Sequence, residues 1–280
     1  MTQDTLSAGL PFMKMHGLGN DFVIVDARRG GIVMTPALAR GIGDRHFGVG
    51  FDQLAVIRHG SGGADLDLEF WNADGTVSST CGNATRCIAA WEMARRGVAE
   101  LRLRTERGVL VAEAAGAGLT RVNMGVPLLA WHDVPLAQEI DTLHLPITGD
   151  PVATGMGNPH CTFFVPDAAA VDLPAFGAAH EHHPLFPERT NVEVVQVLDT
   201  GTIRLRIWER GTGVTLASGS CASAAAVAAA RRGLTGRKVS VQVDGGILLI
   251  DWRDDGVWMA GPTAHVFDGV LTPDFVAGLA

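Results

Sequence analysis

The hydrophobic pattern alternates short apolar strands with a small number of helices. The run FVIV at 22–25 has the length and β-branched content of a buried strand, and a Gly-rich turn separates it from an earlier strand within residues 12–26. Thr35 followed by Pro36 has the chemistry of a helix start, which predicts a helix over 35–45. The same patterns predict helix and loop over 166–190 and strands around 65–71, 99–114, 142–146, 160–165, 192–198, 202–209, 238–252 and 256–260.

Two Ala-rich helical segments each end in Arg-Arg-Gly, one beginning after Cys81 and the other after Ser218. Other features recur at the same offset of about 137 residues. They are Gly19-Asn20 with Gly157-Asn158, Gln53 with Asn191, and Asn72 with Glu209. The repeat predicts two similar half-domains, 1–126 and 127–265, with the tail 266–280 packing on the first. We expect two helix N-termini to face each other across a cleft.

Composition and charge exclude several classes of protein. The chain is 47% apolar and 19% charged, as expected of a globular protein with ample core. Its net charge of −8 does not indicate a surface that binds nucleic acid. No apolar run approaches the roughly 18 residues of a membrane span. The N-terminus lacks the features of a signal peptide, and the four cysteines are too scattered for a disulfide framework. These observations predict a reduced, cytoplasmic protein.

Cys81 is the first candidate for chemistry. A thiol at a helix N-terminus meets unpaired backbone N–H groups and the positive end of the helix dipole, which lower its pKa and make it a usable base or nucleophile. Taken alone, the residue is more simply explained as a buried structural cysteine. The repeat at Ser218 favours the functional interpretation.

The remaining polar residues point away from cofactors and towards an amino-acid substrate. Pyridoxal phosphate needs a Schiff-base lysine, and the chain has only Lys14 and Lys238, neither in a promising setting. The histidines of 180–183 precede Pro184 and indicate a solvated loop rather than a metal site. We therefore expect no cofactor and no metal. The repeated loops carry mostly amides, at Asn20, Gln53, Asn72, Asn83, Asn158 and Asn191.

Glu209 and Arg210 add one carboxylate and one guanidinium to these amides. Helix N-termini can take a carboxylate, Glu209 an ammonium, and Arg210 a second carboxylate. A pseudo-twofold site also offers one reactive group to each face of a substrate. Inversion of a stereocentre by proton transfer needs a base on one face and an acid on the other.

The motifs HGLGNDF, GVGFDQL, NADG, CGNATRC, GNPHC, FPERTNV and ERGTG resemble the diaminopimelate epimerase family in content and order over nearly the whole chain. The resemblance implies an α/β protein of α+β type, with two pseudo-symmetric domains, each a mixed, mostly antiparallel sheet wrapped round a central helix. It implies a cytoplasmic homodimer that interconverts LL- and meso-diaminopimelate, for lysine and peptidoglycan synthesis, without pyridoxal phosphate or metal.

By the same resemblance Cys81 is one catalytic thiol, with Gly82 and Asn83 cradling the reacting carboxylate. Gly219 and Ser220 match the second helix N-terminus, and His160 matches a supporting residue. The implied substrate contacts are Asn20, Gln53, Asn72, Asn158, Asn191, Glu209 and Arg210.

The family has a second catalytic cysteine where this chain has Ser218, and a hydroxyl is a much weaker acid than a thiol. Three hypotheses follow. Ser218 acts as the second acid and base, Cys221 takes over that role from a position three residues further on, or the activity is lost or changed. The ungapped ERG anchor places Ser218 at the position, and core packing accounts for Cys87, Cys161 and Cys221. The alternatives to epimerisation are a related cofactor-independent racemase, isomerase or dehydratase of the same fold, and a diaminopimelate binder without turnover.

Overall fold

The protein is described by a computed structural model over residues 9–30, 32–79 and 81–279. Residues 1–8, to which the signal-peptide prediction applies, lie outside the described residues. Contacts divide the chain into two units. Unit 1 comprises the residues up to Val122 and those from Pro262 onward, and unit 2 is Asn123–Gly261. The boundaries predicted from the repeat, at 126 and 265, lie a few residues beyond these.

Short strands make up most of the regular structure. The strands are β1 (Leu10–Gly17), β2 (Asn20–Asp26), β3 (Gln53–His59), β4 (Leu66–Asn72), β5 (Val77–Ser78), β6 (Glu100–Thr105), β7 (Gly108–Ala114), β8 (Thr120–Asn123), β9 (Val152–Gly155), β10 (Pro159–Phe164), β11 (Asn191–Asp199), β12 (Thr202–Glu209), β13 (Gly213–Thr215), β14 (Lys238–Val243), β15 (Gly246–Arg253), β16 (Gly256–Gly261) and β17 (Ala264–Leu271). The helices are α1 (Pro36–Gly43), α2 (Gly82–Arg96), α3 (Leu173–Glu181), α4 (Gly219–Arg231) and α5 (Pro273–Ala277), with a 3₁₀ turn at Ala27–Arg29. Among these described helices, none is long and apolar enough to cross a membrane.

The two units repeat one succession of strand pairs. In unit 1, β1–β2 is antiparallel, β2–β3 parallel, β3–β4 antiparallel, β4–β6 parallel, and β6–β7 and β7–β8 antiparallel. In unit 2, β9–β10, β10–β11, β11–β12, β12–β14, β14–β15 and β15–β16 follow the same order of directions. Unit 1 adds β17, which pairs antiparallel with β1. The predicted class, a mixed and mostly antiparallel sheet in each half, is confirmed.

Each unit folds around one helix that is buried on almost every side. In unit 2, α4 contacts β9, β10, β11, β12, β14, β15 and β16. A helix that is enclosed in this way must be apolar or small all round, and the Ala-rich sequence of α4 meets that need. In unit 1, α2 contacts β1, β2, β6 and β7, and ends at Gly97, whose φ of 68° gives a left-handed cap. Enclosure leaves the N-terminus of each helix as the place where its polar groups can meet a ligand.

One predicted strand is wrong. Residues 142–146 form bends, and the strand lies later, at Val152–Gly155. Pro146 has no N–H for a ladder, and the Leu145 N–H instead donates to the Pro151 carbonyl oxygen. Leu145 and Ile147 are buried in a side-chain cluster with Phe163. The apolar residues that suggested a strand therefore belong to a packed loop.

The C-terminal half of α2 is held by the Glu92 carboxylate. Arg28 Nη1, Arg95 Nη2 and Arg96 Nε donate to Glu92 Oε1 at 2.7, 2.8 and 2.6 Å. Burial alone would raise the pKa of Glu92, but the hydrogen bonds from the three arginines lower it well below its ordinary value. Because Arg28 follows β2, this cluster fixes α2 against the sheet.

Glu92→Gln is expected to lower the free energy of unfolding by about 2–3 kcal/mol, because it leaves buried arginine hydrogen bonds without their counter-charge. The loss lies below that of a fully enclosed pair, since Arg95 is half exposed. A carboxyl with a lowered pKa stabilises the fold above its unfolded pKa, so the difference narrows as the pH falls below about 4.3. Urea unfolding of the variant and the parent protein measures this difference in the free energy of unfolding.

Glu69→Gln, which breaks a half-exposed pair with Arg58, is the control and is expected to cost less than about 1 kcal/mol. Equal losses in both variants would contradict the role of Glu92.

Candidate active site

Cys81 occupies the N-cap position of α2. Its backbone is extended, with φ −145° and ψ 103°, and its sulfur accepts a hydrogen bond from the Ala84 N–H at 3.4 Å. The residue is 9% exposed. The sulfur therefore meets the first-turn N–H groups of a helix, which is the environment that stabilises a thiolate.

A buried arginine lies beside this thiol. The Arg86 guanidinium is fully buried and interacts electrostatically with Cys81 and Cys87. Burial lowers the pKa of Arg86, and the two thiols raise it. By the same interaction, a cationic Arg86 favours the thiolate of Cys81. Gly17 makes room for the guanidinium, because a Cβ at that position would lie 2.7 Å from Arg86 Nη2.

Hydrogen bonds connect Arg86 to the predicted amides of unit 1. Arg86 Nη1 donates to Asn83 Oδ1 at 2.9 Å, and Asn83 Nδ2 donates to Asn20 Oδ1 at 3.1 Å. Asn20 Nδ2 donates to Asp52 Oδ2 at 2.9 Å. Next to Asp52, Gln53 Nε2 donates to Asn72 Oδ1 on the neighbouring strand at 3.1 Å. The structure thus places the predicted amides of unit 1 in two hydrogen-bonded sets that are adjacent in the chain at Asp52 and Gln53, and Gly82 begins the helix next to Asn83.

In unit 2, the Asn191 side chain forms hydrogen bonds with the backbone of two other segments. Its Oδ1 accepts from the Arg210 backbone N–H at 2.9 Å, and its Nδ2 donates to the Pro159 carbonyl oxygen at 2.9 Å. Asn191 is 1% exposed, so its amide orients Arg210, and its role as a substrate contact stays a prediction. Glu209 ends β12 and is half-buried, and Arg210 Nη1 donates to the Glu188 carbonyl oxygen at 2.9 Å.

Ser218 occupies the N-cap position of α4, which corresponds to that of Cys81. Its backbone is extended, with φ −141° and ψ 126°, and Gly219 and Ser220 begin the helix. Ser218 is 5% exposed, and its Oγ lies 3.4 Å from Ser220 Oγ. A hydrogen bond with Ser218 lowers the pKa of the Cys221 thiol, three residues further along the chain. The structure therefore places a hydroxyl at the helix N-cap that corresponds to the position of Cys81 in unit 1.

The other cysteines lie in the core. Burial raises the pKa of Cys87 to about 12, and raises the pKa of Cys161 well above its ordinary value. Burial raises the pKa of Cys221 in the same direction, with a contribution from Glu193 and Glu209, although the bond with Ser218 lowers it. A thiolate is disfavoured at all three positions, and direct replacement of Ser218 by Cys221 loses support.

His160 lies in a buried polar cluster that the sequence did not reveal. Its Nδ1 is 2.6 Å from Glu193 Oε1 and its Nε2 is 2.9 Å from Asn158 Oδ1. Thr162 Oγ donates to Glu193 Oε2 at 3.2 Å. His160, Glu193 and Cys221 offer three metal-ligating atoms within 4.8 Å of one another. Two ligands of one tetrahedral zinc ion lie about 3.4 Å apart, so the 2.6 Å contact fits a hydrogen bond better than a shared metal.

Arg86 and Glu193 are the site residues that were not predicted. The available signal was an ionisable side chain in an otherwise apolar stretch: Arg86 within the Ala-rich α2, and Glu193 between the valines of β11. Both are fully buried. Charged side chains are almost never fully buried unless they are paired, so such positions are candidates for functional sites.

Known proteins resemble the chain over nearly its full length. The sequence model of the diaminopimelate epimerase family matches residues 12–129 and 152–266. The chain is 48% identical over 277 residues to the diaminopimelate epimerase of Acidiphilium cryptum, covering 97% of this chain and 100% of that relative. It is 49% identical over 275 residues to the diaminopimelate epimerase of Rhodospirillum centenum, covering 95% of this chain and 94% of the relative.

A solved structure supports the same fold. A hydroxyproline epimerase from Agrobacterium vitis matches with a TM-score of 0.68 at 13% identity, covering 94% of this chain and 92% of that chain. At this identity the likeness concerns the fold alone. The near-complete sequence matches decide the family, as the motifs predict. The chain belongs to the diaminopimelate epimerase family.

Proposed function

We propose that this protein is an isomerase that interconverts LL- and meso-diaminopimelate, serving lysine and peptidoglycan biosynthesis. The observation that carries the proposal is the Cys81 sulfur, held at a helix N-terminus beside the buried Arg86 in a chain of this family. The relatives from Acidiphilium cryptum and Rhodospirillum centenum bear the name of this activity.

The reaction begins with a proton transfer to sulfur. The Cys81 thiolate takes the α-proton, and the electron pair of the broken C–H bond moves into the adjacent carboxylate. The backbone N–H groups of Gly82 and Asn83 stabilise the charge that develops there. A proton then returns to the opposite face of the α-carbon from the Ser218 hydroxyl. Gly219 and Ser220 present the corresponding N–H groups at α4.

The charges at the end of β12 suit the distal amino-acid group of diaminopimelate. Glu209 complements its ammonium, and Arg210 complements its carboxylate. The amides Asn20, Gln53, Asn72, Asn158 and Asn191 supply neutral hydrogen bonds around them. A substrate with a single amino-acid centre would leave the Glu209–Arg210 pair without a function.

The lysines support a reaction without pyridoxal phosphate. Lys14 forms an ion pair with Asp21 and donates to the Gly50 carbonyl oxygen, while Lys238 is exposed on the sheet surface. Neither is a free amine in an enclosed site, as a Schiff base requires. We therefore propose that the groups of the chain itself carry the proton transfers.

The hydroxyl at Ser218 favours a second candidate function. With one thiol, a protein of this fold can act as a related racemase or isomerase, or as a dehydratase that expels a β-substituent. A diaminopimelate derivative with a β-leaving group separates the two candidates, since only the dehydratase releases that group.

Proton NMR with LL-diaminopimelate in deuterated water tests the proposal. We expect loss of the α-proton signal together with appearance of the meso isomer. Exchange without isomer formation would mean that Cys81 acts alone and would favour the second candidate. Absence of both, with ligand binding seen by calorimetry, would identify a binder and overturn the proposed activity.

We further propose that the protein is a cytoplasmic homodimer. The apolar side chains of Val266, Phe267 and Val270 on β17 are exposed in the single chain, and burial against a second copy would remove them from water. Light scattering is expected to give twice the chain mass of 29.5 kDa. A value equal to one chain would exclude this dimer.

A further inference from the structure

Four side chains of unit 1 form a line of hydrogen bonds beside the N-terminus of α2. Arg86 Nη1 donates to Asn83 Oδ1 at 2.9 Å, and Asn83 Nδ2 donates to Asn20 Oδ1 at 3.1 Å. Asn20 Nδ2 donates in turn to Asp52 Oδ2 at 2.9 Å. We name Arg86, Asn83, Asn20 and Asp52 the amide line. Its two inner members are amides, and its two ends are charged groups of opposite sign.

The charged ends decide the direction of every bond in the amide line. A guanidinium can only donate and a carboxylate can only accept, whereas an amide donates from its nitrogen and accepts at its oxygen. Arg86 therefore requires the oxygen of Asn83, which leaves the nitrogen of Asn83 to face Asn20. Asp52 requires the nitrogen of Asn20, which leaves the oxygen of Asn20 to face Asn83. The two requirements agree, so reversal of either amide would break two hydrogen bonds.

Other contacts fix both ends of the amide line. Arg86 is fully buried, and a Cβ at Gly17 would lie 2.7 Å from its Nη2. Asp52 Oδ2 also accepts from the Asp21 backbone N–H at 3.1 Å, and Asp52 Oδ1 accepts from Arg45 Nη2 at 2.9 Å. Both carboxylate oxygens of Asp52 thus have donors within the protein. The orientation of the amides follows from groups that are themselves held in place.

Asn20 is the amide of this line that can meet a ligand. Asn83 is 2% exposed, whereas Asn20 is only half-buried. An amide nitrogen carries two hydrogens, so Asn20 Nδ2 can donate a second bond beside the one to Asp52. The natural partner of that N–H is an acceptor such as a carboxylate oxygen of an amino acid. A reversed Asn20 amide would present its oxygen there and would repel the same group.

We propose that Asp52 is a positioning residue that acts through Asn20. With Arg86 at the opposite end, it holds the Asn20 amide so that its N–H is offered to a carboxylate oxygen of the substrate. The inference rests on the proposed epimerisation, in which Asn20 is a substrate contact. Asp52 takes no part in the proton transfers, so its loss weakens binding more than chemistry.

A double-mutant cycle of Asp52→Asn and Asn20→Ala tests whether Asp52 acts through Asn20. In the parent protein, Asp52→Asn is expected to raise the KM for diaminopimelate about 5-fold with kcat within about twofold, because the new amide has one oxygen for two sets of donors. In the Asn20→Ala background the same change is expected to alter the KM less than about twofold, since the group that Asp52 orients is gone. Steady-state rates and calorimetric binding of diaminopimelate measure both effects. Additive losses would mean that Asp52 contacts the substrate itself and would overturn the proposal.

The exchanged variant, Asn20→Asp with Asp52→Asn, tests the direction of the bond. It keeps the volume and net charge of the pair and lets the bond between the two positions form in reverse. We expect its melting temperature to return close to that of the parent protein. Its KM is expected to stay at least about 10-fold above the parent value, because a carboxylate at position 20 has no N–H for the substrate. Recovery of the KM together with stability would overturn the assigned direction.

Asp21→Asn is the matched control, because it makes the same change in the neighbouring carboxylate. That carboxylate is bonded by Lys14 and Arg45 rather than by an amide. The control is expected to keep its KM within about twofold of the parent value. An unchanged KM in Asp52→Asn, with an active parent protein, would overturn the positioning role alone. A parent protein that neither binds diaminopimelate nor exchanges its α-proton would overturn the proposed function and this role with it.

Discussion

The Cys81→Ala variant is expected to lose turnover, with isomer formation and α-proton exchange both falling by about 1,000-fold or more. The reason is that its sulfur is the thiol that caps a helix and lies beside the buried Arg86. The methyl group of alanine cannot accept a proton, and the α-carbon proton is too weakly acidic to leave without a positioned base. The measurement is the NMR experiment in deuterated water, with chromatographic separation of the isomers.

Cys87→Ala provides the control on the same helix. Its thiol is enclosed, and burial raises its pKa to about 12, so it carries a proton at neutral pH. We expect this variant to keep its rate within about threefold of the parent, because no proton transfer passes through it. Turnover that survives in Cys81→Ala would place the base elsewhere and would remove the central argument for the proposed mechanism.

Two buried charged side chains of α2 have different roles. Arg86 lies in the buried first half of the helix and Glu92 in the second, and each is bonded to groups outside the helix. Glu92 fixes the helix against the sheet, whereas Arg86 acts on the thiol. Stability and reactivity thus depend on different charged residues of α2. Glu92→Gln is expected to lower the free energy of unfolding more than the turnover rate.

Much of the fold could be predicted from the chain alone. The repeat of the two Ala-rich helices, at Gly82–Arg96 and Gly219–Arg231, anticipated two matching sheets. The sequence Thr35-Pro36 also predicts the start of α1. The structure confirms it, because the Leu38 N–H donates a hydrogen bond to Thr35 Oγ1 at 3.1 Å. Caps and periodicity are local properties, so sequence expresses them directly.

What could not be predicted depends on contacts between distant residues. The strand expected at 142–146 is a packed loop because the partners of Leu145 and Ile147 come from elsewhere in the chain. Glu193 pairs with His160 across parallel strands whose register no local pattern specifies. The sequence shows a glutamate among the valines of β11, but neither its burial nor its partners.

The structure narrows the question raised by the missing second cysteine. Ser218 occupies the N-cap of α4, as the ungapped motif predicted, while Cys221 lies fully buried behind it. If Cys221 replaced the missing cysteine, its sulfur would have to reach the substrate past the Ser218 side chain. Cys221 instead lies three residues after Ser218, and a hydrogen bond with Ser218 lowers the pKa of its thiol. A comparison of serine with cysteine at position 218 therefore tests the second reacting group most directly.

Ser218→Cys is expected to raise the rate of isomer formation by about 10- to 100-fold. Sulfur replaces oxygen with little change of volume, and a thiol at a helix N-terminus is a far stronger acid than a hydroxyl, so the second face gains a group that titrates. Steady-state rates in both directions measure the effect, and exchange of the α-proton from each isomer shows which face has changed.

Ser223→Cys is the control, because it adds a thiol one turn further into the same helix, where Ser223 Oγ donates to the Gly219 carbonyl oxygen at 2.8 Å. We expect no gain from it, since a thiol enclosed in the core stays protonated and cannot exchange with a substrate. If Ser218→Cys lowered the rate instead, the Ser218 hydroxyl would have a role of its own that a thiol cannot fill. If the rate rises, the combined variant Ser218→Cys with Cys221→Ala shows how the new thiol works: a gain that survives the loss of Cys221 means that the new thiol acts by itself, and a gain that disappears means that it depends on Cys221.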